Sequence, residues 1–318
     1  MTRTLRLGAL RLGTRRSALA MTQSGMVAEA LTAATGRAVE LVEITTYGDT
    51  SQATNELLAQ IGGTGVFVNA LREALLADEV DFAVHSLKDL PTADPELISL
   101  AAVPERADVR DVLVARDGCK LADLPAGARI GTGSPRRAAQ LRLLRPDVEM
   151  VAIRGNVDTR VGYVTGGRLD GVLLASAGLG RLGRIGEATE LFDPADFLPA
   201  PGQGALAVEC REQDAELCEL LAALDHRPTR DAVTAERSLL ATLEAGCSAP
   251  VGGYAHTHHE NDQELTVTGI VASASTDSEP RSVRGTLTGP ADRARELGAE
   301  LAARLLEQGA AALMGAAL

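Results

Sequence analysis

The side chains able to do chemistry in this chain are first of all its arginines. Arg136 and Arg137 follow a glycine turn in GTGSPRR, and Arg154 and Arg160 flank another in IRGNVDTR. From Arg129 to Arg160 there are seven arginines against Asp147, Glu149 and Asp158, inside a 318-residue chain whose 43 acidic and 31 basic residues leave it at −12. A guanidinium is a planar fork of five donors that fits a carboxylate or phosphate two bonds at a time. Several forks held beside glycine turns therefore predict a seat for a polyanionic ligand. The competing reading is a solvated helix surface. A nucleic-acid groove fits poorly, because the basic run is short, Phe and Tyr together number only seven, and the net charge repels a phosphate backbone.

Two further positions carry reactive groups. In FAVHSLKDLP, alternation places Phe82 and Val84 on one face of a strand, and Lys88, Asp89 and Pro91 leave its carboxyl end, where open α/β sheets place functional groups. Lysine and aspartate there form a candidate catalytic pair, the aspartate moving a proton or stabilising a cation. A plain surface turn is the alternative, and His85 reads equally well as a packed core histidine. Cys247 follows Gly246 in EAGCSAPVGG, after a helix and before a strand, where a loop can expose a thiol for covalent chemistry. Cys210 and Cys218 sit among apolar residues and read as packing. His256, His258 and His259 lack matching carboxylates, so no metal site is expected.

GTGS before Pro135 reads as a tight turn at a helix N-terminus, where backbone donors favour an anion. It is neither a dinucleotide fingerprint nor a phosphate loop, and IGGTG at 61–65 is by itself only a flexible turn. Without a nucleotide loop and a metal-binding carboxylate set, a phosphotransferase is also disfavoured. A binding module, a two-lobed receptor for a carboxylated ligand, remains compatible with the arginines, but it gives no task to Asp89 or Cys247.

The elements that must hold these residues follow from periodicity. Strands are expected at 10–14, 39–44, 81–85, 111–115, 128–133, 148–153 and 171–175, alternating with helices at 17–35, 66–77 and 135–144. That order predicts α/β architecture with mostly parallel sheets. After a helix at 231–244, VGGYAHT, ELTVTGIVAS and SVRGTLTG read as antiparallel strands, followed by a helix from about Asp292 to Leu306, an α+β pattern. The first eight or nine residues read as a surface extension. No apolar run reaches the roughly 18 residues of a membrane span, no export signal opens the chain, and its four cysteines form no CxxC pair; a cytoplasmic protein is expected.

Taken together, GTRRSALA, AVHSLKDLPT, GTGSPRRAAQL, IRGNVDTR, LPAPGQGAL and EAGCSAPVGGYA resemble, in order and approximate spacing, the motifs of the porphobilinogen deaminase (hydroxymethylbilane synthase) family, over about residues 10–315. The resemblance implies an enzyme that joins four porphobilinogen molecules head to tail and releases hydroxymethylbilane with loss of ammonia. It implies a dipyrromethane cofactor held through a thioether at Cys247, Asp89 as the catalytic residue, and Lys88 as its cofactor-binding neighbour. Arg15, Ser17, Arg136, Arg137, Arg154, Arg160 and Arg181 match the family's grip on acetate and propionate side chains. Thr132, Gly133, Ser134, Gly155, Asn156 and Gln203 match further cofactor- or substrate-binding positions, and Phe67 a mobile loop.

The fold implied is two periplasmic-binding-protein-like lobes with mixed, mainly parallel sheets, plus a small α+β domain. Domain 1 spans 1–104 and 203–224, domain 2 spans 105–202, and domain 3 spans 225–318. The partners implied are porphobilinogen and the growing polypyrrole chain, with product transfer to uroporphyrinogen-III synthase, and a monomer that binds neither nucleic acid nor membrane. This chain departs from the family pattern in five places: Thr64 stands for a lysine, Asn69 and Ala70 for a charged pair, Gly133 for a serine, Pro135 for a leucine and Asp158 for a glycine. Asp158 is placed to tune Arg160, and Gly133 is expected to remove one cofactor hydrogen bond or leave it to the backbone.

Overall fold

The computed structural model describes residues 8–44, 65–246, 249–258, 261–273 and 279–314, without the side chains of 65–67, 258, 261 and 262. By internal packing the chain forms two compact units, Met1–Arg106 with Ala205–Arg230, and Ala107–Gly204 with Asp231–Leu318. Strands β1 (Leu10–Thr14), β2 (Val39–Glu43), β3 (Phe82–Ser86) and β4 (Ile98–Ala102) belong to the first unit, as does β10 (Leu206–Arg211). The second unit has β5 (Asp111–Ala115), β6 (Arg129–Thr132), β7 (Glu149–Ala152), β8 (Gly171–Ala175) and β9 (Glu190–Leu191), followed by β11 (Val251–His258), β12 (Asn261–Ala272) and β13 (Ser282–Pro290).

The two five-stranded sheets share one wiring. In β2-β1-β3-β10-β4 the first three strands are parallel, and β10 runs antiparallel to both of its neighbours. In β7-β6-β8-β5-β9 the same pattern recurs with β5 as the reversed strand. Each sheet is thus mixed, with all strands but one pointing the same way. Strand alternation sets the cores. Phe82 and Val84 join Val27 and Leu31 of the helix Ala18–Thr35, while Ala83 faces Leu71 and Leu75 of the helix Gly65–Leu76. In β5, Leu113 and Ala115 pack to one side with Ile130 and Leu141, and Val112 and Val114 to the other with Val161 and Val164. Helices cover both faces, so every residue of β5 is buried.

β10 carries no clear sequence signal, because Glu209 and Arg211 interrupt LAVECR, yet all six of its residues are buried. Tertiary partners make this tolerable. Arg72 donates to Glu209 at 3.0 and 2.7 Å, and Arg211 donates to Asp214 at 2.7 Å and to the carbonyls of Leu75 and Val80 at 2.6 and 2.7 Å. Cys210 is buried and its Sγ lies 3.1 Å from that of the half-buried Cys218, within the packing role read from sequence.

The C-terminal strands form an antiparallel sheet, β11-β12-β13, whose apolar face meets the helices Arg227–Thr242 and Ala294–Glu307 through Leu239, Val267, Leu297, Leu301 and Leu305. This is the smaller α+β domain, with a core of its own, although by packing residues 231–318 group with 107–204. Residues 225–230, assigned from sequence to that domain, stay with the first unit. Asp225 accepts from the Val103 N–H at 2.7 Å, and Arg230 donates to the carbonyls of Leu100 and Ala101 at 3.3 and 3.2 Å. Among the described residues no helix is long and apolar enough to cross a membrane.

At Gly298 the two helices pack with no room for a side chain. A Cβ there would collide with the Ala235 carbonyl oxygen and lie 2.9 Å from the Leu239 nitrogen. Gly298→Val is expected to lower stability by about 1–3 kcal/mol or more, as overpacking against backbone does. Gly162→Ala, in a helix with open space around it, is expected to be neutral or to stabilise by up to about 1 kcal/mol. Urea titration of both variants checks the contrast, and equal midpoints would refute it.

Candidate active site

In the first unit, β3 ends in a 3-10 turn over Leu87–Asp89, and the reversal brings Lys88 and Asp89 out at the sheet's carboxyl edge, both half-buried. Asp89 lines an open depression of about 420 Å3 with Arg15, Gln23, His85 and Ser86. Gln23 and Ser86 were not anticipated from sequence. They bond to each other, Gln23 Nε2 donating to Ser86 Oγ at 3.0 Å. Among the described residues no side chain or backbone group bonds the Asp89 carboxylate, which leaves its oxygens available to a ligand. Ser17 caps the helix Ala18–Thr35, its hydroxyl accepting from the Ala20 N–H at 3.4 Å.

His85 is a core residue. It is 7% exposed, and its Nε2 lies 3.3 Å from Glu209 Oε2. Burial works to raise the Glu209 pKa, but the neighbouring His85 and the two bonds and charge of Arg72 outweigh it and bring the carboxyl down to about 2.

In the second unit, Arg136 and Arg137 are 3% and 5% exposed, so neither belongs to a solvated surface. Both turn inward onto Asp111, which is 0% exposed. Arg136 Nη1 donates to Asp111 Oδ2 at 2.6 Å and to the Leu198 carbonyl at 2.6 Å. Arg137 donates to Asp111 Oδ1 from Nε at 2.9 Å and from Nη2 at 2.7 Å, and its Nη1 reaches the Leu173 carbonyl at 3.1 Å. Gln203, also 0% exposed, adds an Nε2–H bond to Asp111 Oδ1 at 2.9 Å and another to the Val109 carbonyl at 2.8 Å. Burial alone would raise the Asp111 pKa, but the two guanidinium charges and these bonds hold the carboxyl well below the usual range. The Arg136 pKa is lowered as well: burial pushes it down and the Arg137 charge adds to this, while Asp111 pulls it only part of the way back up. Sequence reasoning missed Asp111. Its one signal is an acidic residue opening the otherwise apolar strand DVLVA.

The glycine turns place the remaining candidates. Thr132 Oγ1 accepts from the Ser134 N–H at 3.1 Å, and Ser134 in turn caps the helix Pro135–Leu144 by accepting from the Arg137 N–H at 3.4 Å. At Gly133 a Cβ would lie 2.5 Å from the Ile153 carbonyl oxygen. The backbone here is fitted to glycine, and a serine could enter only with a shift. Asn156 caps the helix Val157–Thr165, its Oδ1 accepting from Thr159 N and Oγ1 at 2.9 Å each. Arg160 Nε donates to the Gly155 carbonyl at 2.8 Å. Asp158 pairs with Arg184, a partner that the expectation of tuning Arg160 did not include. Arg154 is exposed. Arg181 is half-buried and donates from Nη2 to the Gly204 carbonyl at 2.7 Å, while its Nε has no partner and burial lowers its pKa. Cys247 and Thr64 lie outside the described residues, as does the side chain of Phe67. Among the described residues no group of three metal-ligating side chains occurs.

A cofactor bearing several carboxylates fits this donor set. Two guanidiniums share the single carboxylate of Asp111, leaving one positive charge in excess, and the buried Arg136 Nε lacks a partner. No carboxylate among the described residues pairs with Arg181. Buried cations without counter-ions are costly, and ligand carboxylates would offset that cost.

The chain is similar to known proteins along most of its length. Residues 10–219 match the family profile described as "Porphobilinogen deaminase, dipyromethane cofactor binding domain", and residues 231–307 match "Porphobilinogen deaminase, C-terminal domain". The chain is 61% identical over 317 residues to porphobilinogen deaminase 1 of Streptomyces coelicolor, covering 96% of this chain and 98% of that protein. It is 58% identical over 304 residues to porphobilinogen deaminase of Thermobifida fusca, covering 94% of each. A periplasmic substrate-binding protein from Coxiella burnetii superposes with a TM-score of 0.42 at 16% identity, over 68% of this chain and 91% of the other.

The depressed carboxyl of Glu209 carries a pH dependence. Its folded pKa of about 2 lies below the ordinary 4.5, so its contribution to stability is complete above about pH 5 and is lost as pH falls through 4.5 towards 2. Glu209→Gln is expected to lose on the order of 3 kcal/mol at pH 7 and to flatten the acid limb of the stability profile. Urea midpoints measured from pH 7 to pH 2.5 check this; an unchanged acid limb would contradict it.

Proposed function

Because the chain belongs to the porphobilinogen deaminase family, we propose that Asp89 is its catalytic group, that Cys247 carries the dipyrromethane cofactor, and that the arginines hold the carboxylates of substrate and product. The reaction is the stepwise head-to-tail condensation of four porphobilinogen molecules, with ammonia released at each addition and hydroxymethylbilane freed by hydrolysis. The observation that supports Asp89 most directly is its half-buried carboxylate, without a bond among the described residues, at the carboxyl end of β3.

Loss of ammonia from the aminomethyl group leaves a cationic pyrrole, and a fixed carboxylate stabilises that charge while accepting a hydrogen bond from the ring N–H. The same carboxylate is suited to take the proton lost when the new ring junction regains aromaticity, without acting as a nucleophile. Bound dipyrromethane supplies the free pyrrole carbon on which the chain is extended. Arg181 and the Arg136–Arg137 pair supply buried positive charge for acetate and propionate groups, and Arg15 supplies a cation beside Asp89. Fixing those groups orients the reacting carbons, where proximity lowers the barrier. Ser17, Ser134 and Asn156 shape the turns as helix caps, so we assign them the placing of backbone donors rather than the main charge contacts. Lys88, Thr132, Gly155, Arg154 and Arg160 complete the binding set. We also read the enzyme as a cytoplasmic monomer that passes its open-chain product to uroporphyrinogen-III synthase, an assignment supported by the need of a linear tetrapyrrole for a cyclising enzyme.

Asp89→Asn is expected to keep the fold and lower kcat by at least about 100-fold, the lower end for removal of a positioned acid–base group. Turnover near the wild-type rate would remove Asp89 from the mechanism. Denaturing mass spectrometry should show a two-pyrrole adduct that Cys247→Ser lacks. With limiting porphobilinogen it should show that adduct extended by one to four units. Active protein without an adduct would refute the attachment, and a receptor that only binds would give no extension.

A further inference from the structure

We infer that Asp111 is a positioning residue, held by Gln203, that presets Arg136 and Arg137 for ligand carboxylates; the inference rests on the family reading of those arginines. A structural ion pair needs one cation for each anion, whereas here two guanidiniums share one carboxylate. Among the described residues no second carboxylate reaches either arginine, so the buried cluster keeps one positive charge in excess. That arrangement is unfavourable as scaffold alone and becomes balanced when an anion arrives.

The bonds also settle which donors remain. Oδ1 takes Arg137 through Nε and Nη2, and the Leu173 carbonyl takes Nη1, so Arg137 is held on three nitrogens. Arg136 is held through Nη1 alone, lies over the Phe197 ring at 5.9 Å, and keeps its buried Nε without a partner. Arg136 is therefore fixed in direction with part of its fork still open. Gln203 bonds Asp111 Oδ1 and the Val109 carbonyl, and the Ala107 N–H donates to the Gly204 carbonyl at 3.2 Å. The segment entering this unit after Arg106 and the segment leaving it at Gly204 are thus fastened together beside the carboxylate that holds the arginines.

A positioning role and a purely structural one predict different kinetics. Loss of scaffold shrinks the active fraction and leaves KM alone, whereas loss of position weakens carboxylate binding in protein that is still folded. Asp111→Asn should raise KM for porphobilinogen by at least about 10-fold with kcat per adduct-carrying molecule within about 3-fold, and should lower the fraction of chains carrying the adduct by denaturing mass spectrometry. Gln203→Leu keeps all three charges and serves if the first variant fails to fold; it should shift KM and adduct fraction in the same direction by about 3-fold or more. Asp225→Asn, which breaks an ion pair in the other unit, should lower the melting temperature without either change. A wild type without adduct would overturn the cofactor reading and this inference with it. A loaded wild type beside a folded Asp111→Asn or Gln203→Leu protein with equal loading and unchanged KM would overturn this inference alone.

Discussion

The bonds of Asp111 to Arg136, Arg137 and Gln203 tie three distant stretches of the second unit to one buried carboxylate: the start of β5, the helix Pro135–Leu144 and the segment that ends at Gly204. In a low-dielectric interior such a cluster is strongly coupled, since each member is tolerable only while the others are present. The reversed strand β5, the glycine turn ahead of the arginine helix and the exit towards β10 depend on it together. This constraint explains how guanidiniums in a chain at −12 come to lie inside an α/β lobe rather than on its surface.

The first unit repeats the principle with charges of the same sense. There Glu209 is a buried anion on the reversed strand, met by Arg72 and His85, and β10 lies in its sheet where β5 lies in the other. Both reversed strands therefore carry a buried carboxylate neutralised by side chains from neighbouring elements. Asp89 differs from both. It stands past the end of β3 in a turn, without a bond among the described residues, which is what a carboxylate must retain to act on a transient cation.

The departures from the family pattern become local and physical in this setting. Gly133 sits where a side chain would meet the Ile153 carbonyl, so the missing serine is matched by a backbone that has closed over its place. Asp158 is taken up by Arg184, which also bonds Glu187, and so adds to an ion-pair group at the edge of the lobe. Neither change touches the Asp111 cluster or the Asp89 turn.

The sequence by itself determined many of the elements and the class of fold. The apolar runs DVLVA and GVLLA reflect burial on both faces and the alternation of SVRGTLTG reflects burial on one, and each is a local property. Motif order likewise marked the Asp89 turn and the arginine turns. Tertiary structure alone decided the rest. β10 reads as interrupted because its charges are compensated by Arg72, Asp214 and carbonyls far away in sequence. Whether an arginine is a surface cation or a buried one, and whether an acidic residue at a strand's start is solvated or a counter-ion, depends on neighbours that arrive only on folding. Arg136, Arg137 and Gln203 were legible as candidates for a site, but their convergence on Asp111 was not, because charge compensation is a property of space and leaves no period in the chain.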